Sequence, residues 1–349
     1  MKITMNLSYS GGFREAAQQV VELERVGLDM VWVAEAYGFD GPSLMGYLAA
    51  LTEQVQIASG ILPIYSRTPA LIAMTAAGVD ALSEGRFNLG LGASGPQVIE
   101  GWHGVPYTAP IGRTREIIEI CRKIWAREGP VEHHGKWFDL PLPPDRGTGL
   151  GKPLKIIAHP YRPDIPVWIA SLGERNVAAT AEVADGWLPL IFAPELARKV
   201  WGEALDAGNA KRDARLDPLM IAAGGLLAIG EGADVEAVRE RARPNLALYI
   251  GGMGARGKNF YNDVVRRYGF EREAELIQTL YLDGKKEEAA AAVPDELVRM
   301  TTLCGPEGHV AERIAAYAEA GVTHLQVEPV PVGAQRARDL IEKVRDLAG

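Results

Sequence analysis

Strand-like segments that end in small or polar residues are followed, again and again along this chain, by amphipathic helices. The pattern runs from Lys2-Ile3-Thr4-Met5-Asn6-Leu7 to Thr323-His324-Leu325-Gln326-Val327. Parallel strands joined by helices place all their carboxyl ends on one face, and ligands bind there. Eight strand and helix units can be counted, which predicts an α/β fold, a (β/α)8 TIM barrel with insertion segments at its carboxyl-end face. An open doubly wound sheet is the runner-up. The 349 residues are enough for one large barrel, and no Ser/Gly/Pro linker divides them, so residues 1–349 read as a single domain. Residues 130 to 166 are rich in Pro and Gly and read as a long excursion over one barrel end, where lids are usual. Residues of about 233–300 read as a helical insertion.

Composition narrows the function. With 47% hydrophobic and 23% charged residues and no apolar run near the ~20 residues of a membrane helix, no membrane partner is expected. A formal charge of -8 argues against a nucleic-acid surface and requires a local basic patch for any acidic ligand. The amino terminus enters a strand without the basic and then apolar stretch of a signal peptide, and Cys121 and Cys304 stand alone. A cytoplasmic protein is expected. A small-molecule substrate is the expected partner, and exposed barrel helices make a homodimer the expected assembly.

Several motifs bear on chemistry. Gly90-Leu91-Gly92-Ala93-Ser94-Gly95 fits the dinucleotide fingerprint by letter, but Pro96 opens no long helix, so close approach of a ligand to the backbone is the better reading. Gly252-Met253-Gly254-Ala255-Arg256-Gly257-Lys258 is nearly a P-loop, with Asn259 where a Ser or Thr would hold magnesium. It reads either as a plain glycine turn or as a lid carrying Arg256, Lys258 and Asn259. The six histidines show no metal-ligand spacing, so no metal is expected. No Gly-x-Ser-x-Gly elbow supports hydrolysis. Glu35 directly follows an apolar strand, with Tyr37 and Phe39 beyond it, and reads as a ligand contact or proton donor, or as a solvated loop charge. His103 lies past the fourth strand, either at the site or as a surface histidine. In Ser171-Leu172-Gly173-Glu174-Arg175-Asn176, small residues precede a helix whose free amides favour an anion; an ordinary helix cap is the alternative.

Four ordered segments together resemble the luciferase-like family of flavin and deazaflavin oxidoreductases, closest to the branch that uses coenzyme F420. They are Val31-Trp32-Val33-Ala34-Glu35; Ile57-Ala58-Ser59-Gly60-Ile61-Leu62-Pro63 leading to Arg67-Thr68-Pro69-Ala70; Leu89-Gly90-Leu91-Gly92 through Glu100-Gly101-Trp102-His103-Gly104; and Pro166-Val167-Trp168-Ile169-Ala170-Ser171 through Ala184-Asp185-Gly186-Trp187. The resemblance implies hydride transfer at the deazaflavin C5, with F420 as cofactor and FMN, in a monooxygenase, as the alternative. A non-catalytic deazaflavin carrier is a further alternative. It implies a cis bond at Gly60-Ile61, with Ile61 backing the ring and Glu35 contacting it. It also implies that Ser94 and Gly95 border the site and that the cofactor phosphate lies on Ser171, Leu172 and Gly173, with Asn176 beside them. Glu35, His103 and Tyr65 are the candidate proton-transfer residues. Ala36 stands where sugar-phosphate dehydrogenases of the family carry histidine, and Gly95-Pro96 where they carry a glutamate, so that activity is not expected.

Overall fold

The computed structural model describes residues 1–7 and 12–349. Eight parallel strands form the wall: β1 (Lys2–Leu7), β2 (Met30–Val33), β3 (Gln56–Ser59), β4 (Phe87–Gly92), β5 (Val167–Ala170), β6 (Gly186–Leu188), β7 (Met220–Ile229) and β8 (His324–Pro329). Each pairs with the next, and β8 returns to β1 with His324 opposite Lys2, so the sheet closes into the expected barrel. Around it lie α1 (Phe13–Glu24), α2 (Gly41–Leu51), α3 (Pro69–Leu82), α4 (Pro110–Ala126), α5 (Glu174–Val183), α6 (Pro194–Asn209), α7 (Glu307–Glu319) and α8 (Ala337–Ala348).

Alternation along the strands divides two packing zones. Ile3, Met5 and Leu7 of β1 and Val31 and Val33 of β2 belong to the large apolar zone shared with the helices. Met30, Trp32, Ala58, Trp168 and Ala222 form a separate cluster, the barrel floor. There Trp168 meets Trp32 edge-on at 5.1 Å and His324 at 4.9 Å. Gly186 leaves the room for it, since a Cβ there would lie 2.1 Å from the Trp168 ring.

Element ends are set by identifiable contacts. The first helix stops at Glu24, and Gly27, at φ +94°, closes the turn with its N–H on the Glu24 carbonyl. The second starts at Gly41, capped by the Asp40 carboxylate, which accepts from the Ser43 N–H at 3.1 Å. A short helix, Pro96–Gly101, occupies a stretch that sequence leaves irregular, and Leu303–Gly305 adds an unforeseen short strand beside the end of β7. The excursion at 130–166 reaches the amino end of the barrel, where Arg162 donates to the Asp80 carboxylate at 2.9 Å and to the carbonyl of Phe87, the first residue of β4. Its hairpin, His133–His134 with Asp139–Leu140, lies along α4, where Glu116 accepts from the N–H groups of Lys136, Trp137 and Phe138 at 2.9, 3.1 and 3.0 Å. After β7 the chain forms the helices Ala233–Glu240, Ala242–Ala247, Phe260–Tyr268, Glu271–Leu282, Lys286–Ala291 and Asp295–Met300 before returning to the barrel. No helix among the described residues is long and apolar enough to cross a membrane.

Candidate active site

The tryptophan cluster closes the barrel floor. At the carboxyl end, Gly92 of β4 lies opposite Ala170 of β5, so neither position carries a bulky side chain. The β3 edge of this end is bulged. Ala58 pairs with Asn88, but Leu62, in the short strand Leu62–Pro63, pairs with Leu91, so Ser59, Gly60 and Ile61 face only Leu89 and Gly90. One extra residue in one strand is the definition of a bulge. Ser59 repairs the ladder with its side chain: Oγ accepts from the Gly90 N–H at 2.7 Å and donates to the Gly90 carbonyl at 2.9 Å. Glycine is required at position 90, because a Cβ would fall 1.8 Å from the Ser59 carbonyl oxygen. The Gly60-Ile61 peptide is cis, as the resemblance implies. Gly60 rests against Trp32, and Ile61, half-buried, extends over Gly92, whose added Cβ would lie 2.9 Å from it.

Glu35, two residues past β2, is held on every side. Its oxygens accept from Arg67 Nη1 at 2.5 Å and Nη2 at 2.7 Å, and from the Gly41 N–H at 2.6 Å. With side chains 7% and 12% exposed, Glu35 and Arg67 form a bidentate, largely desolvated pair that ties the end of β2 to the start of α2 and to the turn before α3. That geometry suits a positioning residue better than a proton donor, which would have to break the pair. The aromatic neighbours behave differently: Tyr37 and Phe39 are exposed, and Tyr37 meets the exposed Trp102 at 6.3 Å, forming a ring pair on the rim.

Past β4, Ser94 takes a left-handed backbone (φ +57°) and Gly95 precedes the short helix Pro96–Gly101. His103 follows that helix, half-buried, with Nε2 enclosed and unpartnered among the described residues. Tyr65 is buried beside them. Its hydroxyl donates to the Thr108 carbonyl at 2.8 Å, and burial, reinforced by Tyr107, pushes that hydroxyl up to about 12. Tyr107 packs on Tyr65 at 5.3 Å and reaches the Ser94 carbonyl at 3.5 Å. Tyr261, from the inserted helix Phe260–Tyr268, is also pushed up, by burial and then by Tyr249 and Tyr107. Tyr249, also in the insertion, meets it at 4.8 Å, and the influence of Tyr107 on Tyr261 brings the insertion close to the segment after β4. Sequence reading missed Tyr107, Tyr261 and the partnership of Arg67, because each acquires its meaning from a residue remote in the chain.

The β5 exit is open. Gly173 precedes the first turn of α5, and the amides of Gly173, Glu174 and Arg175 have no acceptor among the described residues. Ser171 is turned inward: its hydroxyl bonds that of Thr180 at 2.8 Å, and its carbonyl accepts from Trp187 Nε1 at 2.9 Å. The Leu172 carbonyl accepts from Trp201 Nε1, and the Asn176 carbonyl from the Thr180 hydroxyl, each at 2.8 Å. The Ser171 hydroxyl is therefore spent within the protein, while the backbone N–H groups of this turn remain for an anion. In the glycine-rich turn of the insertion, Asn259 is buried and caps the helix Phe260–Tyr268 through Oδ1, while Arg256 reaches Thr279 and Lys258 is exposed. Asn259 is thus a helix cap, whereas Phe260 covers Gly173 at 3.5 Å from its would-be Cβ.

The family model for luciferase-like monooxygenases matches residues 2–324. A Mycobacterium tuberculosis protein named "Putative coenzyme F420-dependent oxidoreductase Rv3520c" is 41% identical over 344 residues, 97% of this chain and 98% of that one. The 5,10-methylenetetrahydromethanopterin reductase of Archaeoglobus fulgidus is 26% identical over 91% of this chain and 90% of its own. Among solved structures, the coenzyme F420-dependent tetrahydromethanopterin reductase of Methanopyrus kandleri superposes with a TM-score of 0.79 at 21% identity, over 98% and 96% of the two chains. An F420-dependent secondary alcohol dehydrogenase with an F420-acetone adduct does so with 0.73 at 18%, over 100% and 99%. These two share the fold. On the family match and the near full-length relative, the chain belongs to the luciferase-like monooxygenase family and is an oxidoreductase.

Proposed function

We propose that this oxidoreductase uses coenzyme F420 and transfers a hydride between the cofactor and a small organic substrate. The observation that carries the reading is the 41% identity, over nearly the full length of both chains, to the relative named for F420. The turns at the carboxyl end suit such a group. A flat ring system would rest on Ile61 and the Gly92 backbone, where any side chain at position 92 would collide with Ile61. The cofactor phosphate would take the unpaired amides at Gly173, Glu174 and Arg175, favoured by the positive end of α5. When bound, the deazaflavin supplies a carbon that accepts or releases hydride.

The chain's own residues divide the remaining work. Glu35 and Arg67 fix the β2 exit, and Ser94 and Gly95 border the open face. His103 Nε2, enclosed without a partner, is the group placed to hold or deliver a proton to a substrate oxygen. Tyr65, already donating to Thr108, is placed to shape the wall. Tyr37 and Trp102 line the substrate's approach.

Equilibrium titration tests cofactor choice. F420 is expected to bind more tightly than FMN, and the bound F420 to be reduced by a substrate from an alcohol or reduced-carbon panel. Equal or tighter FMN binding would move the reading to a monooxygenase, and F420 binding with no turnover on any substrate would favour a carrier.

A further inference from the structure

Exposed rings gather at one end of the barrel. Among the described residues six Phe, Tyr and Trp side chains are exposed, and four of them belong to the carboxyl end. Tyr37 (67% exposed) and Phe39 (64%) follow β2, Trp102 (66%) follows β4, and Phe260 (60%) covers Gly173 after β5. The other two lie elsewhere, Tyr47 on α2 and Tyr161 against Gly85 at the amino end. Less exposed rings join the four. Tyr37 meets Trp102 at 6.3 Å, Tyr107 packs on Tyr65 at 5.3 Å, and Tyr107 acts on Tyr261, the neighbour of Phe260 in the chain, which meets Tyr249 at 4.8 Å. Rings therefore succeed one another from the β2 exit to the β5 exit. An apolar band left in water in this way marks a surface that takes up an apolar partner.

The charges at the β2 and β8 exits do not favour an anion. Arg67 is neutralised by Glu35. On β8, Leu325 and Val327 join the outer apolar zone while His324 meets Trp168 inside, so alternation puts Gln326 and Glu328 on the interior face. Glu328 is exposed there and has no partner among the described residues, and its carboxylate would repel a second one. Trp102 and His103 are consecutive, so a molecule resting on the Tyr37 and Trp102 rings is brought next to the residue whose enclosed Nε2 has no partner. We propose that the substrate carries a large, uncharged, apolar body, an alkyl chain or fused rings, held by this band while its carbonyl or hydroxyl reaches His103, an inference that rests on the hydride-transfer reading. In the reducing direction the carbonyl carbon gains the hydride given up by reduced F420, the C=O π pair passes to oxygen, and that oxygen takes the proton from His103. The cofactor ends the step oxidised.

The test is calorimetric titration of the protein with oxidised F420, which holds no hydride to give a ketone. The ligands are uncharged methyl ketones from butanone to the ten-carbon member, and a ten-carbon keto acid. A methylene half withdrawn from water contributes about a factor of two, so affinity is expected to rise about 60-fold along the series. The keto acid should bind about tenfold more weakly than the ketone of equal length, because its charge must leave water beside the rings. In the double variant Trp102→Ser with Tyr37→Ser, both exposed positions, the rise should fall below about tenfold while F420 affinity is unchanged. No rise with chain length, tighter binding of the keto acid, or a rise that survives in the variant overturns the proposal and leaves the deazaflavin reading standing. Failure of F420 to bind in the same calorimeter removes the deazaflavin reading; the ketone series, run also without cofactor, then decides separately whether the band holds an apolar body.

Discussion

At the exit of β2, both oxygens of Glu35 are occupied by Arg67 and by the Gly41 N–H. At the exit of β5, the amides of Gly173, Glu174 and Arg175 meet no acceptor among the described residues. Each turn lies at the carboxyl end of a barrel strand, and each invites a ligand when read as sequence. The first turn is satisfied by the protein itself, so changing it should act on stability. The second has unmet donors, so changing it should act on binding. A residue type at a strand end therefore indicates a functional location, while its partners decide the role.

The strongest way to break this contrast is Glu35→Gln. The change leaves Arg67 largely buried without its counter-charge, and breaking one side of a buried pair costs about 3 kcal/mol or more. Urea denaturation should show the unfolding free energy falling by that amount, with part of it recovered in Glu35→Gln combined with Arg67→Met. A variant as stable as wild type but slower by two orders of magnitude in hydride transfer would instead return Glu35 to the chemistry.

The floor supplies the next test. His324 Nε2 is enclosed without a partner among the described residues, and burial, then Lys2 and the amino terminus, lower the imidazole from 6.5 to about 4. Because the folded value is depressed, the unfolded chain takes up the proton first. Stability is therefore complete above pH 6.5 and is lost as pH falls toward 4. Between pH 7 and pH 5 that amounts to about 2 kcal/mol. Subtracting the profile of His324→Leu isolates it from carboxylate titration, and an identical acid slope in the two proteins would refute the assignment.

Gly173→Asp probes the open turn. Position 173 has φ -69°, and an added Cβ would meet only Phe260, at 3.5 Å, so a side chain fits. Aspartate is also a good N-cap, and stability should rise by a few tenths of a kcal/mol. Its charge would occupy the amides meant for the phosphate, and cofactor affinity should fall about tenfold. Unchanged affinity would put the phosphate elsewhere.

What was legible in the sequence follows the same division. The succession of short apolar runs and amphipathic helices marked the eight barrel strands, since a strand buried on both faces is apolar throughout its own length. Gly90 could be recognised as a close-approach position, but not that the approaching atom is the Ser59 carbonyl. Glu35 was identifiable by its place after an apolar run. Arg67, 32 residues on, was quoted only as part of a motif, because no local rule pairs them. The excursion at 130–166 was readable only as a loop over one barrel end: its Pro and Gly content marks a loop, whereas Glu116 on α4 and the Arg162–Asp80 pair fix which end and face it covers. The Tyr65, Tyr107 and Tyr261 group has no sequence signature, being assembled from the β3 exit, the β4 exit and the insertion.

Tyr65→Phe is the smallest and most discriminating change, because it tests whether the β3 exit belongs with the closed turn or the open one. The hydroxyl donates to the Thr108 carbonyl at 2.8 Å, and its proton is held tightly, with burial pushing it up to about 12. If the hydroxyl only ties strand to loop, its removal leaves one carbonyl short of a donor and costs about 1 kcal/mol. Turnover at saturating cofactor and substrate should then stay within about twofold of wild type, and the pH profile should keep its shape. His103→Gln, measured beside it, should lower turnover about 100-fold with little effect on the denaturation midpoint, as removal of a general acid does. Should the two variants exchange behaviours, the phenol carries the proton in spite of its bond to Thr108, and the unpartnered Nε2 of His103 is a packing residue.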